Sequence, residues 1–316
     1  MPIQQSTYAT PRLDLGEAFL EYNPDEMMFV STQVLPVFGV AKKAGTLSVV
    51  TRENLKSDTV THTNGAAYNR INLKTEDMAY ACLDYGLEEV LTDEDRENYA
   101  SDFDAEVETV RNLRRKILTA QEIRAAALLF NTTTWTGSAL YTDNSSNPWD
   151  TITTDIIGQI QDAKNKVRQN TGYMADSMLI GAVTLTNILK NTAIIARTAS
   201  NAANTLQVIL QNLAAVFGLQ NIYVGNGIYD SAKDGQSFTA ADIWSDDYAL
   251  IFKRTGAGMK DAGLGKTLLW TPIAEDNAVV EQYREEQVKG DVFRCIQYSQ
   301  EKVFDPYFAH LLKVDA

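Results

Sequence analysis

The segment from residue 102 to 130 constrains the fold most, because it predicts one unusually long helix. Its sequence is DFDAEVETVRNLRRKILTAQEIRAAALLF, and Ser101 with Asp104 resembles a capping box at its start. At 1.5 Å per residue the helix would be roughly 40 Å long, which is long for a globular domain. Apolar residues recur every three or four positions, so we expect one continuous buried stripe. Its members are Phe103, Val107, Val110, Leu113, Ile117, Ala120, Ile123, Ala127 and Phe130.

Residues 51–72, TRENLKSDTVTHTNGAAYNRIN, are polar and charged and carry no apolar stripe. The segments on either side favour β structure. A loop of ~20 residues between strands is longer than compact domains usually tolerate, unless it serves binding or assembly. Such a hairpin has no core of its own, and the polar, unpatterned first 22 residues have none either. We therefore expect both segments to become ordered against another chain.

In the region 151–270, the sequence pattern changes, and short helical and strand patterns alternate. This alternation predicts an α/β unit with its own core. The last 40 or so residues return to strand patterns, joined by a turn at Lys289-Gly290-Asp291. The sequence as a whole therefore predicts an α+β fold.

The charge balance limits the partners of this chain. Its 316 residues include 28 Lys and Arg against 41 Asp and Glu, which gives a net charge of −13. A protein that grips duplex DNA along its phosphates needs an excess of cations, so we expect this chain to enclose DNA at most, without gripping it. The two cysteines are far apart and predict no disulfide framework. No segment has the pattern of a signal peptide or the length of a membrane span, so we expect no membrane partner.

The segment GLGKT, residues 263–267, ends like a nucleotide-binding P-loop. The P-loop pattern requires a glycine five positions before Gly265, and Lys260 stands there. A P-loop must also open a helix, whereas the following TLLWTP predicts a strand. We interpret Gly265-Lys266-Thr267 as part of a flexible glycine loop. A nucleotide-dependent enzyme remains the alternative function from another class.

No other pattern predicts chemistry. His62 and His310 are the only histidines, and neither has the spacing of a metal ligand. The chain has no G-x-S-x-G elbow, and its paired carboxylates are typical of a solvated face. We therefore expect no enzymatic activity, no cofactor and no metal.

The order of elements resembles the major capsid proteins of tailed bacteriophages, a family that shares its fold with encapsulin shells. Residues 29–50, FVSTQVLPVFGVAKKAGTLSVV, resemble the family's short helix, its proline-marked strand and the ascent into an extended loop. Residues 66–99, AAYNRINLKTEDMAYACLDYGLEEVLTDEDRENY, resemble the descent from that loop. The helix from residue 102 resembles the family's spine helix. The resemblance covers nearly the whole chain.

This resemblance implies a division into four parts. Residues 1–34 would be the N-terminal arm and 44–80 the extended loop. A peripheral domain would combine 35–43, 81–150 and 271–316, and residues 151–270 would form the axial domain. The chain would assemble as pentamers and hexamers into an icosahedral shell that encloses double-stranded DNA. Its location would be the virion capsid, assembled in the host cytoplasm. An encapsulin-like compartment is the alternative within the same fold.

The resemblance also implies partners. We expect a portal, with a decoration protein as an optional partner. The sequence starts almost directly with the arm, so scaffolding would come from a separate protein, unless a cleaved part is missing from it. Some members of the family crosslink a loop lysine to a neighbour's asparagine; Lys56 lies in the loop, but no asparagine partner is identified, and we expect no crosslink.

Charged residues of the arm, the loop, the spine helix and the glycine segment are the candidate contacts between subunits. They are Arg12, Arg52, Lys56, Arg70, Arg111, Arg114, Arg115 and Lys266.

Overall fold

The computed structural model describes residues 10–11, 15, 29–50, 52–57, 60–62, 64, 67–99, 104–198, 205–233, 235–258, 261–271 and 278–315. Their strands form a six-stranded sheet, a five-stranded sheet and two separate strand pairs. Helices and strands are mixed along the chain, and the predicted α+β fold is confirmed.

The five-stranded sheet has the order β6-β15-β11-β7-β8. Its strands are β6 (Tyr141–Asp143), β15 (Ala309–Lys313), β11 (Tyr248–Phe252), β7 (Ser177–Gly181) and β8 (Asn221–Gly225). Strand β7 is buried along its whole length, as a strand covered on both faces must be. Met178 and Ile180 point into one hydrophobic cluster and Leu179 into another. The predicted α/β unit therefore has a core on each side of its sheet.

Helices cover one face of this sheet. They are α4 (Ile156–Thr171), α5 (Ala182–Lys190), α6 (Thr192–Thr198) and α7 (Leu206–Phe217), and each contributes to the first cluster. Helix α4 starts at Asp155, whose carboxylate accepts a hydrogen bond from Gly158 N at 2.9 Å, and ends at Gly172, which has a φ of 78°. A left-handed residue after the last turn favours glycine, which explains why α4 ends at Gly172.

The six-stranded sheet is built around the long strand β14 (Gly290–Val303). Antiparallel to β14 run β13 (Val279–Glu285), β5 (Leu83–Thr92) and β12 (Gly265–Trp270). Strand β1 (Thr10–Pro11) extends the sheet beyond β13, and β2 (Val37–Val40) pairs parallel to β12. The turn between β13 and β14 includes Lys289, where the sequence predicted a turn.

The long helix is α3 (Ala105–Leu129), about 37 Å at 1.5 Å per residue. Asp104 itself is the N-cap and accepts hydrogen bonds from Glu106 N and Val107 N, so the predicted pairing of Asp104 with Ser101 is not the cap. Ser101 and Phe103 lie outside the described residues. Val110, Leu113 and Ile117 are buried against the six-stranded sheet, as predicted.

The predicted stripe is wrong in the second half of α3. Ala120, Ile123 and Ala127 are exposed, and the buried face passes through Gln121 and Glu122 instead. Ile117 and Gln121 are four positions apart and therefore lie on the same, buried face of the helix, whereas Ala120, Ile123 and Ala127 lie on the face toward solvent.

The extended loop is an antiparallel pair, β3 (Ala44–Val50) with β4 (Thr75–Ala81), and a 3-10 turn, Arg52–Leu55, follows β3. The remaining elements are short: α1 (Ser31–Val34), α2 (Asp93–Tyr99), β9 (Ile228–Asp230), β10 (Ala240–Asp242) and the 3-10 turn Pro306–Phe308.

Two strands lie across the predicted domain boundaries. Strand β12, placed in the axial domain by the limit at residue 270, pairs within the six-stranded sheet. Strand β15, placed in the peripheral domain, pairs with β11 in the five-stranded sheet. The chain thus crosses between the two sheets before β12 and again before β15. The assignment of these units as axial and peripheral stays a prediction.

Candidate assembly surfaces

The glycine segment is structural. Gly265-Lys266-Thr267 lies inside strand β12, so the interpretation as a flexible loop is wrong, while the predicted strand is confirmed. A Cβ at Gly265 would lie 2.2 Å from the carbonyl oxygen of Lys302, which is why only glycine fits beside β14.

Lys266 points into the chain. Its side chain is 0% exposed, and its Nζ donates hydrogen bonds to the carbonyl oxygens of Ala257 at 2.9 Å and Gly258 at 2.8 Å. Burial lowers the pKa of this ammonium. A phosphate-binding lysine must reach a ligand, and a subunit contact must reach a neighbour. The predicted subunit contact at Lys266 and the nucleotide-binding alternative are therefore both wrong.

The loop brings three predicted contact residues together. Arg52, Lys56 and Arg70 line one cleft of about 710 Å³ with Lys74, and all four side chains are exposed. The other lining residues are Glu53, Asn54, Ile71 and Asn72. We call this the loop cleft. Its charged side chains sum to +3, in a chain whose net charge is −13.

Asn54 holds the loop cleft in shape. Its side-chain amide donates to the carbonyl oxygen of Lys74 at 2.7 Å and accepts from the Lys74 N–H at 2.8 Å. These two hydrogen bonds connect the two sides of the loop, at residues 20 positions apart. Arg52 is anchored on the body of the subunit, because its guanidinium stacks 3.5 Å from the ring centre of Tyr307.

The basic residues of α3 divide among different settings. Arg111 pairs with Glu108 at 2.6 Å, one turn away on the same helix. Arg114 is half-buried beside the sheet, and Arg115 is exposed. Arg12 lies outside the described residues. The roles of Arg111, Arg114 and Arg115 in assembly stay predictions.

An acidic surface lies at one end of the six-stranded sheet, where residues 93–97 meet residues 284–291. Asp93 N donates to the carbonyl oxygen of Lys289 at 3.0 Å, and Arg284 donates two hydrogen bonds of 2.7 Å to the Asp93 carboxylate. Those bonds lower the pKa of Asp93. The two segments carry seven acidic and three basic side chains, a net charge of −4. We call this surface the acidic tip.

Glu122 is a buried site that the sequence pattern missed. Its carboxylate accepts hydrogen bonds from Val30 N at 2.8 Å, Ser31 N at 3.0 Å and Trp244 Nε1 at 2.8 Å. It therefore ties the long helix to the start of α1 and to the five-stranded unit. Burial is the largest effect and raises the pKa of the Glu122 carboxyl, and the hydrogen bonds from these donors oppose that rise. The sequence feature that could have identified Glu122 is its position on the buried face of α3, just over one turn beyond Ile117.

His310, on β15, is a second buried site. Its Nδ1 lies 3.0 Å from the carbonyl oxygen of Ala139, and its Nε2 lies 2.8 Å from Thr142 Oγ1. A carbonyl only accepts, so Nδ1 carries the proton and Nε2 accepts from the Thr142 hydroxyl. Lys166 Nζ donates to the same hydroxyl oxygen at 2.6 Å. Burial first, and then Lys166, lower the pKa of His310 to about 4. The side chains of His310, Thr142 and Lys166 each have a hydrogen-bond partner inside the subunit, which is typical of a structural site.

Across the part of the chain that the structure describes, no helix is both long and apolar enough to cross a membrane. Within the same residues, no three His, Cys, Asp or Glu side chains come together as a metal site.

Comparison with known proteins gives one curated relative and several structures. No protein-family model matches the chain. The chain is 25% identical over 234 residues to the major capsid protein of Burkholderia phage BcepMu, and the match covers 71% of each protein.

The solved structures extend this likeness to the whole fold. A phage-related protein from Bordetella bronchiseptica RB50 has a TM-score of 0.75 at 16% identity, with 98% of each chain covered. The capsid of cyanophage P-SCSP1u has a TM-score of 0.56 at 12% identity, covering 99% of this chain and 91% of that one. The SrpI encapsulin of Synechococcus elongatus PCC 7942 has a TM-score of 0.50 at 9% identity, covering 93% and 90%. The chain therefore has the tailed-phage capsid fold that encapsulins share, and its resemblance to the major capsid proteins of phages is confirmed.

Proposed function

We propose that this protein is the major capsid protein of a tailed phage. It assembles as pentamers and hexamers into an icosahedral shell that encloses double-stranded DNA. The fold of a phage capsid, matched across 99% of the chain, carries this proposal. The relative from phage BcepMu, itself a major capsid protein, supports it.

The extended loop supports assembly on physical grounds. It exposes apolar side chains that its own subunit does not cover: Val60 is 94% exposed, Tyr68 77%, Ile71 74% and Leu73 67%. Exposed apolar side chains concentrated on one segment are typical of a protein interface. A shell would bury them against neighbouring copies.

The acidic composition suits a container for DNA. With a net charge of −13, the subunit repels phosphates on average, so packaged DNA slides along the wall rather than binding to it. The partners in this proposal are a separate scaffolding protein, a portal and, as an optional partner, a decoration protein. The shell forms in the host cytoplasm, and no enzymatic step is assigned to it.

Electron microscopy of the purified protein tests the proposal, alone and with the products of its neighbouring genes. We expect closed shells or rings of five and six copies. A stable monomer of 35.0 kDa that forms no rings, sheets or shells in either setting would refute it.

An encapsulin-like compartment is the second candidate, because the SrpI encapsulin shares this fold. The contents of the shells distinguish the two. Shells isolated from the native host that contain genome-length DNA support the phage capsid, whereas shells filled with a cargo enzyme support the compartment.

A further inference from the structure

The 3-10 turn Arg52–Leu55, which follows β3 in the extended loop, rests on the body of its own subunit. The Arg52 guanidinium lies 3.5 Å from the ring centre of Tyr307. The Leu55 side chain lies over Gly172, because a Cβ at that glycine would be 3.5 Å from Leu55 Cδ2. Two side chains of one turn therefore contact two different segments of the same subunit. We call this pair of contacts the loop latch.

Both of the contacted segments belong to the unit of the five-stranded sheet. Gly172 follows the last turn of α4, and Tyr307 packs against the hydrophobic cluster that contains Leu311 of β15. Burial raises the pKa of the carboxyl of Asp305, two residues before Tyr307, and the nearby charge of Arg52 opposes that rise. An aromatic ring and a carboxylate of the same segment thus both attract the Arg52 guanidinium.

The β3–β4 hairpin starts from the other sheet, the six-stranded one. At its start, Cys82 N donates to the carbonyl oxygen of Lys43 at 2.8 Å, and Lys43 Nζ lies 4.6 Å from the ring centre of Tyr298 on β14. Strand β3 has 7 residues and therefore separates this start from the loop latch by about 20 Å. The extended loop is thus held at two points, one on each sheet.

Asn54, in the same 3-10 turn, connects the loop latch to the returning side of the loop. Its side chain forms two hydrogen bonds with the backbone of Lys74, at 2.7 and 2.8 Å. Both sides of the loop therefore follow the position of the turn. A segment held at two points about 20 Å apart has one direction, and this direction exists before the subunit contacts another copy.

We propose that the loop latch fixes the direction of the extended loop in the free subunit, and that this direction gives the shell a uniform size. The second half of the inference rests on the proposed function. Arg52 then acts inside its own subunit, rather than as the contact between copies that its charge suggested. A loop held in one direction loses less conformational freedom on binding than a mobile loop does. Because a shell repeats the same angle between copies, a variable loop direction gives variable curvature.

Two spin labels measure the direction of the loop in the free subunit by double electron–electron resonance. They are attached at Lys56→Cys in the loop and Lys190→Cys on α5, both exposed, whereas the two native cysteines are buried. Tyr307→Leu removes the ring of the loop latch, and Tyr307→Phe keeps it. Arg52→Gln removes the cation, and Arg168→Gln is its control, because it removes the same charge at an exposed position outside the latch.

We expect one narrow distance distribution for the labelled protein without further changes, for Tyr307→Phe and for Arg168→Gln. Tyr307→Leu and Arg52→Gln should each raise the fraction of subunits outside that peak by about two- to fivefold, the shift that an exposed contact between a cation and a ring produces. Urea unfolding checks that each variant is folded. Distributions as narrow as that of the unchanged protein in both latch variants would overturn the proposal.

Electron microscopy compares the shells that the same variants form without labels. We expect shells of several diameters from Tyr307→Leu and Arg52→Gln, and shells of one diameter from Tyr307→Phe and Arg168→Gln. Shells of one normal diameter from both latch variants would overturn the proposed link between loop direction and shell size. Failure of the wild type to assemble would count against the proposed function instead, and the distance measurement would still decide whether the latch holds the loop.

Discussion

His310 gives the protein a built-in sensitivity to acid. The imidazole is fully buried, accepts a hydrogen bond from Thr142, and has the Lys166 ammonium on the other side of that hydroxyl. A second ring proton would place a buried cation close to Lys166 and would remove the acceptor of the Thr142 hydroxyl. In the unfolded chain neither cost applies, so acid favours unfolding.

The size of the effect follows from the pKa difference. The pKa of His310 falls from 6.5 to about 4 on folding, so its contribution is complete above pH 6.5 and is lost as the pH falls toward 4. Each pKa unit corresponds to about 1.4 kcal/mol, and the full loss is about 3 kcal/mol. Between pH 7.5 and pH 5 the linkage relation gives about 2 kcal/mol.

His310→Gln isolates this contribution, because glutamine cannot titrate and its amide oxygen can still accept from Thr142. The free energy of unfolding of the unassembled subunit is measured in urea at pH 5 to 7.5. We expect the wild type to lose about 2 kcal/mol more than the variant across that range. Other titrating groups are common to both proteins and cancel in the comparison.

Lys166→Met supplies a second check. Removing this cation should raise the pKa of His310 and reduce the acid loss without abolishing it. Parallel pH profiles for the wild type and His310→Gln would refute the assignment of the acid sensitivity to this histidine.

Three further variants test the sites described above. Glu122→Gln should destabilise the subunit by about 1–3 kcal/mol in urea unfolding, because an amide NH₂ would face donors that the carboxylate accepts; an unchanged midpoint would contradict this role. Replacing residues 57–72 by a short Gly-Ser linker keeps the hydrogen bonds between Asn54 and Lys74. This variant should keep the free energy of unfolding of the subunit within about 0.5 kcal/mol of the wild type and should form no shells. An unfolded product would show that the loop belongs to the core. Calorimetric titration with Mg-ATP should give no saturable heat for the wild type or for Lys266→Ala, and tight binding that the variant abolishes would restore the nucleotide interpretation.

The parts of the fold that the sequence predicted are those with a strong local pattern. Helix α4 has an Asp cap and a glycine stop, and β7 is a continuous apolar run, so each is specified by neighbouring residues. The loop was predicted because its residues lack any such pattern. Three of its cations, chosen only for their charge, line one cleft.

The errors arise where distant residues decide. Lys266 carries a charge that usually lies in solvent, but its acceptors are carbonyl groups of a turn eight and nine residues earlier. Ala120, Ile123 and Ala127 continue an apolar pattern, but the buried line of the helix follows the partners of Glu122 in α1 and beside β11. The sheet assignments of β12 and β15 depend on long-range pairing, which local periodicity does not encode.

The distribution of satisfied charge separates folding from assembly in this chain. Glu122, Lys266 and His310 are each 0% exposed and have their hydrogen-bond partners inside the subunit, so substitutions there act on unfolding. Lys56 and Arg70, two of the predicted contacts between copies, are exposed, and substitutions of exposed charges change the free energy of unfolding by less than about 0.5 kcal/mol. Substitutions at the second group should therefore change the yield of shells without changing the free energy of unfolding of the subunit. A loss of shells that follows a lowered unfolding midpoint belongs to the first group, and a loss of shells at an unchanged midpoint identifies a contact between copies.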